Sequence, residues 1–140
     1  MTKVFTKNTN EFFDDYAHHP TEIESVLDGV KKVYNEEEIV CIFQPHRISR
    51  VRSLKKEFSK CFKKANTILL CPIYKAGENI KLGFSYESFA KLITKNSNVN
   101  LIMLKNEHEL KKIIKNITFG KKIFIAMGAG SISNWVRNLN

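Results

Sequence analysis

The chain has 140 residues, 43% of them hydrophobic, which is enough for one domain with a real core and too short for two of ordinary size. No apolar run approaches a membrane span, and Met1-Thr2-Lys3-Val4-Phe5 lacks the apolar core and cleavage site of a signal peptide, so a cytoplasmic protein with no membrane partner is expected. A formal charge of +9 would suit a nucleic-acid binder, but the lysines are scattered over predicted helix faces and are not interleaved with aromatic residues; the expectation is a solvated surface and no nucleic-acid partner.

Residues 1–11 are polar and read as an irregular lead-in. Phe12 to Tyr16 reads as a short strand. Pro20 to Tyr34 reads as a helix, with Pro20 suited to the first turn and Glu22 and Glu24 near the positive end of the dipole. Its Ile23, Val26, Leu27, Val30 and Val33 form one apolar stripe. Ile39 to Phe43 is a continuous apolar run, as expected of a strand covered on both faces.

Leu54, Phe58, Cys61, Phe62 and Ala65 mark a second amphipathic helix. Thr67 to Cys71 is the next strand, stopped by Pro72, and a loop through Lys75-Ala76-Gly77-Glu78 leads to a helix over Ser85 to Thr94. Val99 to Leu104 is a strand. The helix after it is striped by Leu110, Ile113, Ile114 and Ile117. Ile123 to Met127 is the last strand, running through Gly128-Ala129-Gly130-Ser131 into a terminal helix that carries Ile132, Trp135, Val136 and Leu139.

This alternation predicts an α/β fold: a Rossmann-like, mostly parallel sheet of about six strands with helices on both faces, in one domain covering 1–140. Cys41, Cys61 and Cys71 are odd in number, widely spaced and set in apolar surroundings. Buried reduced thiols are expected of them, with neither disulfides nor a metal site.

The chemistry-bearing residues cluster where strands give way to helices, the edge at which open α/β sheets bind ligands. The first cluster is Asp14-Asp15-Tyr16-Ala17-His18-His19-Pro20-Thr21-Glu22. A carboxylate there can hold a ribose hydroxyl, and a neutral imidazole can relay a proton. The competing reading makes the acids turn or capping groups and the histidines surface residues.

The second cluster is Gln44-Pro45-His46-Arg47-Ile48-Ser49-Arg50. Arg47 and Arg50 are three apart, so one helical turn would point both guanidiniums the same way, as bidentate recognition of a carboxylate or phosphate requires. Surface ion pairs are the alternative. The Gly128-Ala129-Gly130-Ser131 turn could present backbone N–H groups to an anion, but lacks the third glycine of a dinucleotide fingerprint, and close strand–helix packing is favoured. No G-x-x-x-x-G-K-[ST] run is present to cradle ATP phosphates.

These runs, with Tyr74-Lys75-Ala76-Gly77-Glu78 and Met127-Gly128-Ala129-Gly130-Ser131-Ile132, resemble in the same order the C-terminal domain of the Mur ligases, the ATP-dependent amino-acid ligases of peptidoglycan synthesis. Within them, the Gln-Pro-His-Arg-x-Ser-Arg element resembles the branch that joins L-alanine to UDP-N-acetylmuramate. The branch that recycles murein tripeptide shares the first cluster and lacks that element. The resemblance implies two further domains, an N-terminal uridine-nucleotide-binding one and a central P-loop ATPase, as partners of this one.

It further implies ATP and Mg²⁺ as cofactors, held mainly by the central domain, and an acyl phosphate that the alanine amine attacks. By the same resemblance Tyr16, His18, Arg47 and Arg50 surround the alanine, with the arginines on its carboxylate and His18 in the catalytic position. Asp15 lies near the nucleotide, and no metal ligand is assigned to this chain. The alternatives are the C-terminal domain of the ligase that recycles murein tripeptide, and a stand-alone nucleotide- or anion-binding α/β module without catalysis.

Overall fold

Continuous apolar runs on the central parallel strands determine the architecture, which a computed structural model describes for residues 1–140. The elements are β1 (Thr2–Lys7), β2 (Asn10–Asp15), α1 (Pro20–Val33), β3 (Glu38–Phe43), α2 (Ile48–Ser53), α3 (Lys55–Lys60), β4 (Thr67–Leu70), α4 (Tyr86–Ser97), β5 (Asn100–Met103), α5 (Glu107–Ile117), β6 (Lys122–Met127) and α6 (Ile132–Arg137). They form a six-stranded sheet in the order β1-β2-β6-β3-β4-β5, parallel throughout except for β1. The expected Rossmann-like α/β sheet is therefore present.

Because side chains alternate across a strand, the inner strands β2, β6, β3 and β4 each feed two cores. Phe13, Cys41, Phe43, Ile68, Leu70, Ile125 and Met127 face α1 to α4, where Ile23, Leu27, Phe58, Phe62, Phe89 and Ile93 close the layer. Phe12, Val40, Ile42, Leu69, Cys71, Phe124 and Ala126 face α5 and α6. Phe5, Phe12 and Phe124 stack there across three strands, with centroids 4.3 and 4.5 Å apart. All three cysteines are free and buried, and burial pushes the Cys71 thiol up to about 12.

Three expectations are corrected. Residues 1–11 are not irregular: β1 pairs antiparallel with β2 through a hairpin at Asn8-Thr9, both at positive φ (52° and 68°). That is the backbone of a type I′ turn, whose twist suits a hairpin. The helix expected around 54–65 is two short ones, α2 and α3, broken at Leu54 (φ −117°, ψ 24°) and beginning six residues earlier, at Ile48. The terminal helix ends at Arg137, short of Leu139, although Leu139 is still buried in the α5–α6 layer.

Local chemistry explains the helix starts that aim the site. At α1, His19 Nδ1 accepts from Thr21 N (3.2 Å), and Glu22 Oε1 accepts from His18 N (3.2 Å) and His19 N (3.0 Å). This is a capping box with histidine in the place serine or threonine usually takes. Ser85 and Asn106 cap α4 and α5 in the ordinary way. No helix is long and apolar enough to cross a membrane.

Candidate active site

The carboxyl ends of β2, β3 and β4 carry the two clusters and bring them together. Beyond β3 and β4 the chain stays paired: Arg47 N donates to the Tyr74 carbonyl and Tyr74 N to the Pro45 carbonyl, both at 2.8 Å. The rings of Tyr16, His18, His46 and Tyr74 consequently form a row across the three strand ends. Tyr16–His18 and His18–His46 meet edge to face, with centroids 5.3 and 5.8 Å apart, and His46–Tyr74 stack at 5.7 Å. Tyr16 is 71% exposed, so this end of the row faces solvent.

Hydrogen bonds assign the imidazole protons. His18 Nδ1 lies 2.9 Å from the Tyr16 carbonyl, which can only accept, so Nδ1 carries a proton and the lone pair of the neutral ring is on Nε2. His46 is the reverse. Its Nδ1 faces the Arg50 Nη1 donor at 3.2 Å, so Nδ1 accepts and Nε2 carries the proton. Burial, and then the Arg50 charge, lower the His46 pKa below the ordinary histidine value, which keeps the ring neutral.

The two arginines differ. Arg50 Nη1 also donates to the His46 carbonyl at 3.0 Å, which folds this guanidinium back over the start of α2. Arg47 is the N-cap residue of α2 and stands at φ 77°, ψ 133°, a conformation that costs a non-glycine residue about 1–3 kcal/mol. Its side chain is exposed and makes no hydrogen bond or ion pair. The single helical turn expected to align the pair therefore does so only in part, because Arg47 lies outside the helix.

Nearby carboxylates are already engaged. Glu22 is held by the two histidine amides, which lower its pKa. Glu78 accepts from Ser49 N (3.1 Å) and Ser49 Oγ, so it caps α2 from the far side of the loop after β4 and is likewise lowered. Asp15 Oδ1 accepts from Ala17 N at 2.8 Å, and its Oδ2 lies 3.1 Å from the Met1 nitrogen. Asp14 Oδ2 accepts from Ser133 Oγ (2.6 Å) and pairs with Arg137 (2.8 Å), tying α6 to β2 and leaving Oδ1 buried without a partner.

With the acids so occupied and Arg47 free, this edge is receptive to an anion. No group of three His, Cys, Asp or Glu side chains converges to hold a metal ion. Much of the lysine charge lies elsewhere: Lys7, Lys111, Lys112 and Lys115 line a surface groove of about 410 Å³ beside α5.

Gly128-Ala129-Gly130-Ser131 turns out to be a packing device. The buried Gln44 donates to Ser131 Oγ (2.9 Å) and accepts from Ile132 N (3.0 Å). A Cβ on Gly130 would lie 2.4 Å from the Tyr74 ring, and one on Gly128 2.8 Å from the Gln44 carbonyl. Sequence reasoning quoted Gln44, His46 and Tyr74 without giving them roles. The available signal was the glycine pair opposite an aromatic and an amide, which is legible only once β3 and β6 are known to be neighbours.

A Rossmann-like sheet with imidazoles and arginines gathered at its carboxyl edge defines a ligand-binding α/β domain. Residues 1–130 match the family model described as "Mur ligase, glutamate ligase domain", and the chain belongs to the Mur ligase family. It is 61% identical over 139 residues (99% of the chain) to the UDP-N-acetylmuramate–L-alanine ligase of Pelagibacter ubique strain HTCC1062, and 32% identical over 129 residues to that of Hyphomonas neptunium. The chain spans 30% and 27% of those relatives, so it corresponds to less than a third of their length.

Among solved structures, it superposes on the UDP-N-acetylmuramate–alanine ligase of Thermotoga maritima with TM-score 0.69 and 25% identity, covering 98% of this chain and 28% of that one. The murein peptide ligase of Psychrobacter arcticus has TM-score 0.73 at 20% identity, covering 99% of this chain and 28% of that one, a likeness of fold alone.

Proposed function

We propose that this chain is the C-terminal domain, 1–140, of a cytoplasmic ATP-dependent ligase that joins L-alanine to UDP-N-acetylmuramate, and that its carboxyl edge seats the incoming alanine. The observation that carries this reading is the free Arg47 guanidinium, held at a strained backbone beside Arg50 while each neighbouring carboxylate is occupied. Identity of 61% to a ligase of that name supports the substrate.

In this reading Arg47 and Arg50 take the alanine carboxylate, and Tyr16 walls the open side. His18 Nε2 receives the proton that the alanine ammonium must lose before its nitrogen can attack. The amine then adds to the acyl phosphate of the muramate, and phosphate leaves as the amide forms. Holding the two reactants together supplies up to about 7–11 kcal/mol of barrier reduction in ideal geometry. Closing this domain over its partners would keep water from the acyl phosphate.

ATP, when bound, supplies the phosphoryl group that activates the muramate carboxylate. Nothing in this chain offers a phosphate loop or a metal ligand set, so ATP and Mg²⁺ would rest mainly on the central domain. In this reading Asp15, at the end of β2, lies near the nucleotide, and its Oδ2 would accept a nucleotide hydroxyl in exchange for the Met1 nitrogen. The N-terminal and central ligase domains are the partners this requires.

The test is alanine-dependent ADP release by the intact ligase. A charge-assisted hydrogen bond is worth about 1.5–3 kcal/mol, so Arg47→Ala should raise the KM for alanine about ten- to a hundredfold. The KM for UDP-N-acetylmuramate should barely change. An unchanged alanine KM would remove Arg47 from the seat.

A further inference from the structure

The Arg50 guanidinium does not reach its position by helix geometry alone. Its Nη1 is shared between the His46 carbonyl (3.0 Å) and the His46 Nδ1 lone pair (3.2 Å), both one turn back along the chain. The imidazole is itself held on two sides. His18 meets it edge to face on one side, and Tyr74 stacks against it on the other at an interplanar angle of 15°.

Tyr74 cannot retreat from His46 freely, because its ring lies against Gly130, where even a methyl group would collide. Gly130 is in turn held by the Gln44 amide, which bonds Ser131 and Ile132 on the same turn. A continuous line of packing thus runs from the β6–α6 turn through Tyr74 and His46 to Arg50. Every link is at a carboxyl end of the sheet.

Resting on the alanine-seat reading above, we propose that His46 is a positioning residue: its Nδ1 lone pair, braced by Tyr74 and Gly130, holds the Arg50 guanidinium where it meets the substrate carboxylate. A proton on Nδ1 would replace that lone pair with a second donor and set a cation against Arg50. The arginine would then swing away, and the seat would lose one of its two guanidiniums. The function of His46 thus depends on the ring remaining neutral.

The groups facing His46 bear on its charge in both directions. Arg50 on α2 and Arg47 at its N-cap, with His18 ahead of α1, oppose protonation, and Glu78 from the loop after β4 favours it. Burial acts with the cations and is the largest influence, so the ring charges only below the ordinary histidine range. The consequence is a pH-dependent alanine KM. It should be level at neutral pH and should rise on the acid side as His46 charges, in step with the loss of neutral imidazole, levelling off at about the tenfold increase expected when His46 no longer holds Arg50. The KM for UDP-N-acetylmuramate should not follow it.

The experiment measures alanine KM and kcat against pH in the intact ligase, for wild type, His46→Ala, His46→Asn and Arg50→Ala. His46→Ala should raise the KM about tenfold at neutral pH. Asn carries its side-chain oxygen close to where Nδ1 stood, so His46→Asn should recover most of that loss. Since the amide does not titrate, it should also flatten the acid-side rise in KM. A residue that merely filled space would restore the KM without changing its slope with pH.

If His46→Asn keeps the wild-type slope, or His46→Ala leaves the KM unchanged, the positioning role is refuted. If Arg50→Ala leaves the KM unchanged, the seat itself is misplaced and this inference falls with it. A raised KM in Arg50→Ala together with a wild-type slope in His46→Asn would overturn this inference alone.

Discussion

The two edges of the sheet are built from similar polar residues to opposite ends. At the amino edge, side-chain amides close off strand starts. The fully buried Asn10 accepts from Lys122 N (3.0 Å) and donates to the Asn8 carbonyl (3.0 Å), and Asn66 Oδ1 accepts from Ile39 N (2.8 Å). Lys122 Nζ donates to the Phe119 carbonyl at 2.7 Å and sits 3.9 Å over the Phe119 ring. The polar groups named here all find partners. At the carboxyl edge the acids are tied down instead, while Arg47 is left free on a strained backbone and Tyr16 lies open. Stability is concentrated at one edge, and the other keeps unsatisfied capacity for a ligand.

The contrast breaks most visibly at Asn10. Replacing it with alanine orphans Lys122 N in a buried position and should cost about 1–3 kcal/mol. The midpoint of urea unfolding should fall with its slope unchanged, while the intact ligase keeps its alanine KM. A loss below about 0.5 kcal/mol, the range of ordinary surface changes, would mean the amino edge is not the stabilising one.

At the other edge, Arg47→Gly should do the reverse. Glycine adopts φ 77° without steric cost, so removing the strain should gain about 1 kcal/mol after glycine's own entropy is charged against it. The same variant should bind alanine as poorly as Arg47→Ala. A destabilised Arg47→Gly would show that no strain is held there for function.

The smallest effect is on pH. The Glu78 carboxyl is lowered in the folded chain by the Ser49 hydroxyl and amide, so its contribution is complete above the ordinary carboxylate range and is lost as pH falls through the lowered value. Glu78→Gln should lower thermal stability slightly at neutral pH and leave it nearly unchanged in acid, so the variant loses less stability on acidification. If the variant and wild type lose stability in parallel on acidification, the loop after β4 is not held to α2 by that charge.

Much of this was legible from residue order. The apolar runs at 39–43, 67–71 and 123–127 appear as the central strands because parallel strands are covered on both faces, and periodicity reports that directly. The hairpin that adds β1 was not, since Thr9 is a β-branched residue at positive φ, where the usual signal is a glycine. The break at Leu54 was hidden by an apolar spacing that suits one long helix as well as two short ones. At the site, residue types and their order pointed to the carboxyl edge. What they could not show was which imidazole nitrogen is free, which the folded turns set through the Tyr16 carbonyl and the Arg50 guanidinium, or that Arg47 departs from helical geometry, where its amide pairs with the Tyr74 carbonyl beyond β4.

The docking of α6 has a practical consequence. This helix carries Trp135, the only tryptophan in the chain, partly buried against the α5–α6 layer. Asp14 ties the helix to β2 through Ser133 and Arg137, and the turn leading into it touches Gln44 and Tyr74. Indole emission from this chain therefore has one origin, on the helix that follows the turn bracing the ring row. Red-shift or quenching of that emission as alanine, nucleotide or partner domains are added would read out the state of the carboxyl edge in a label-free titration.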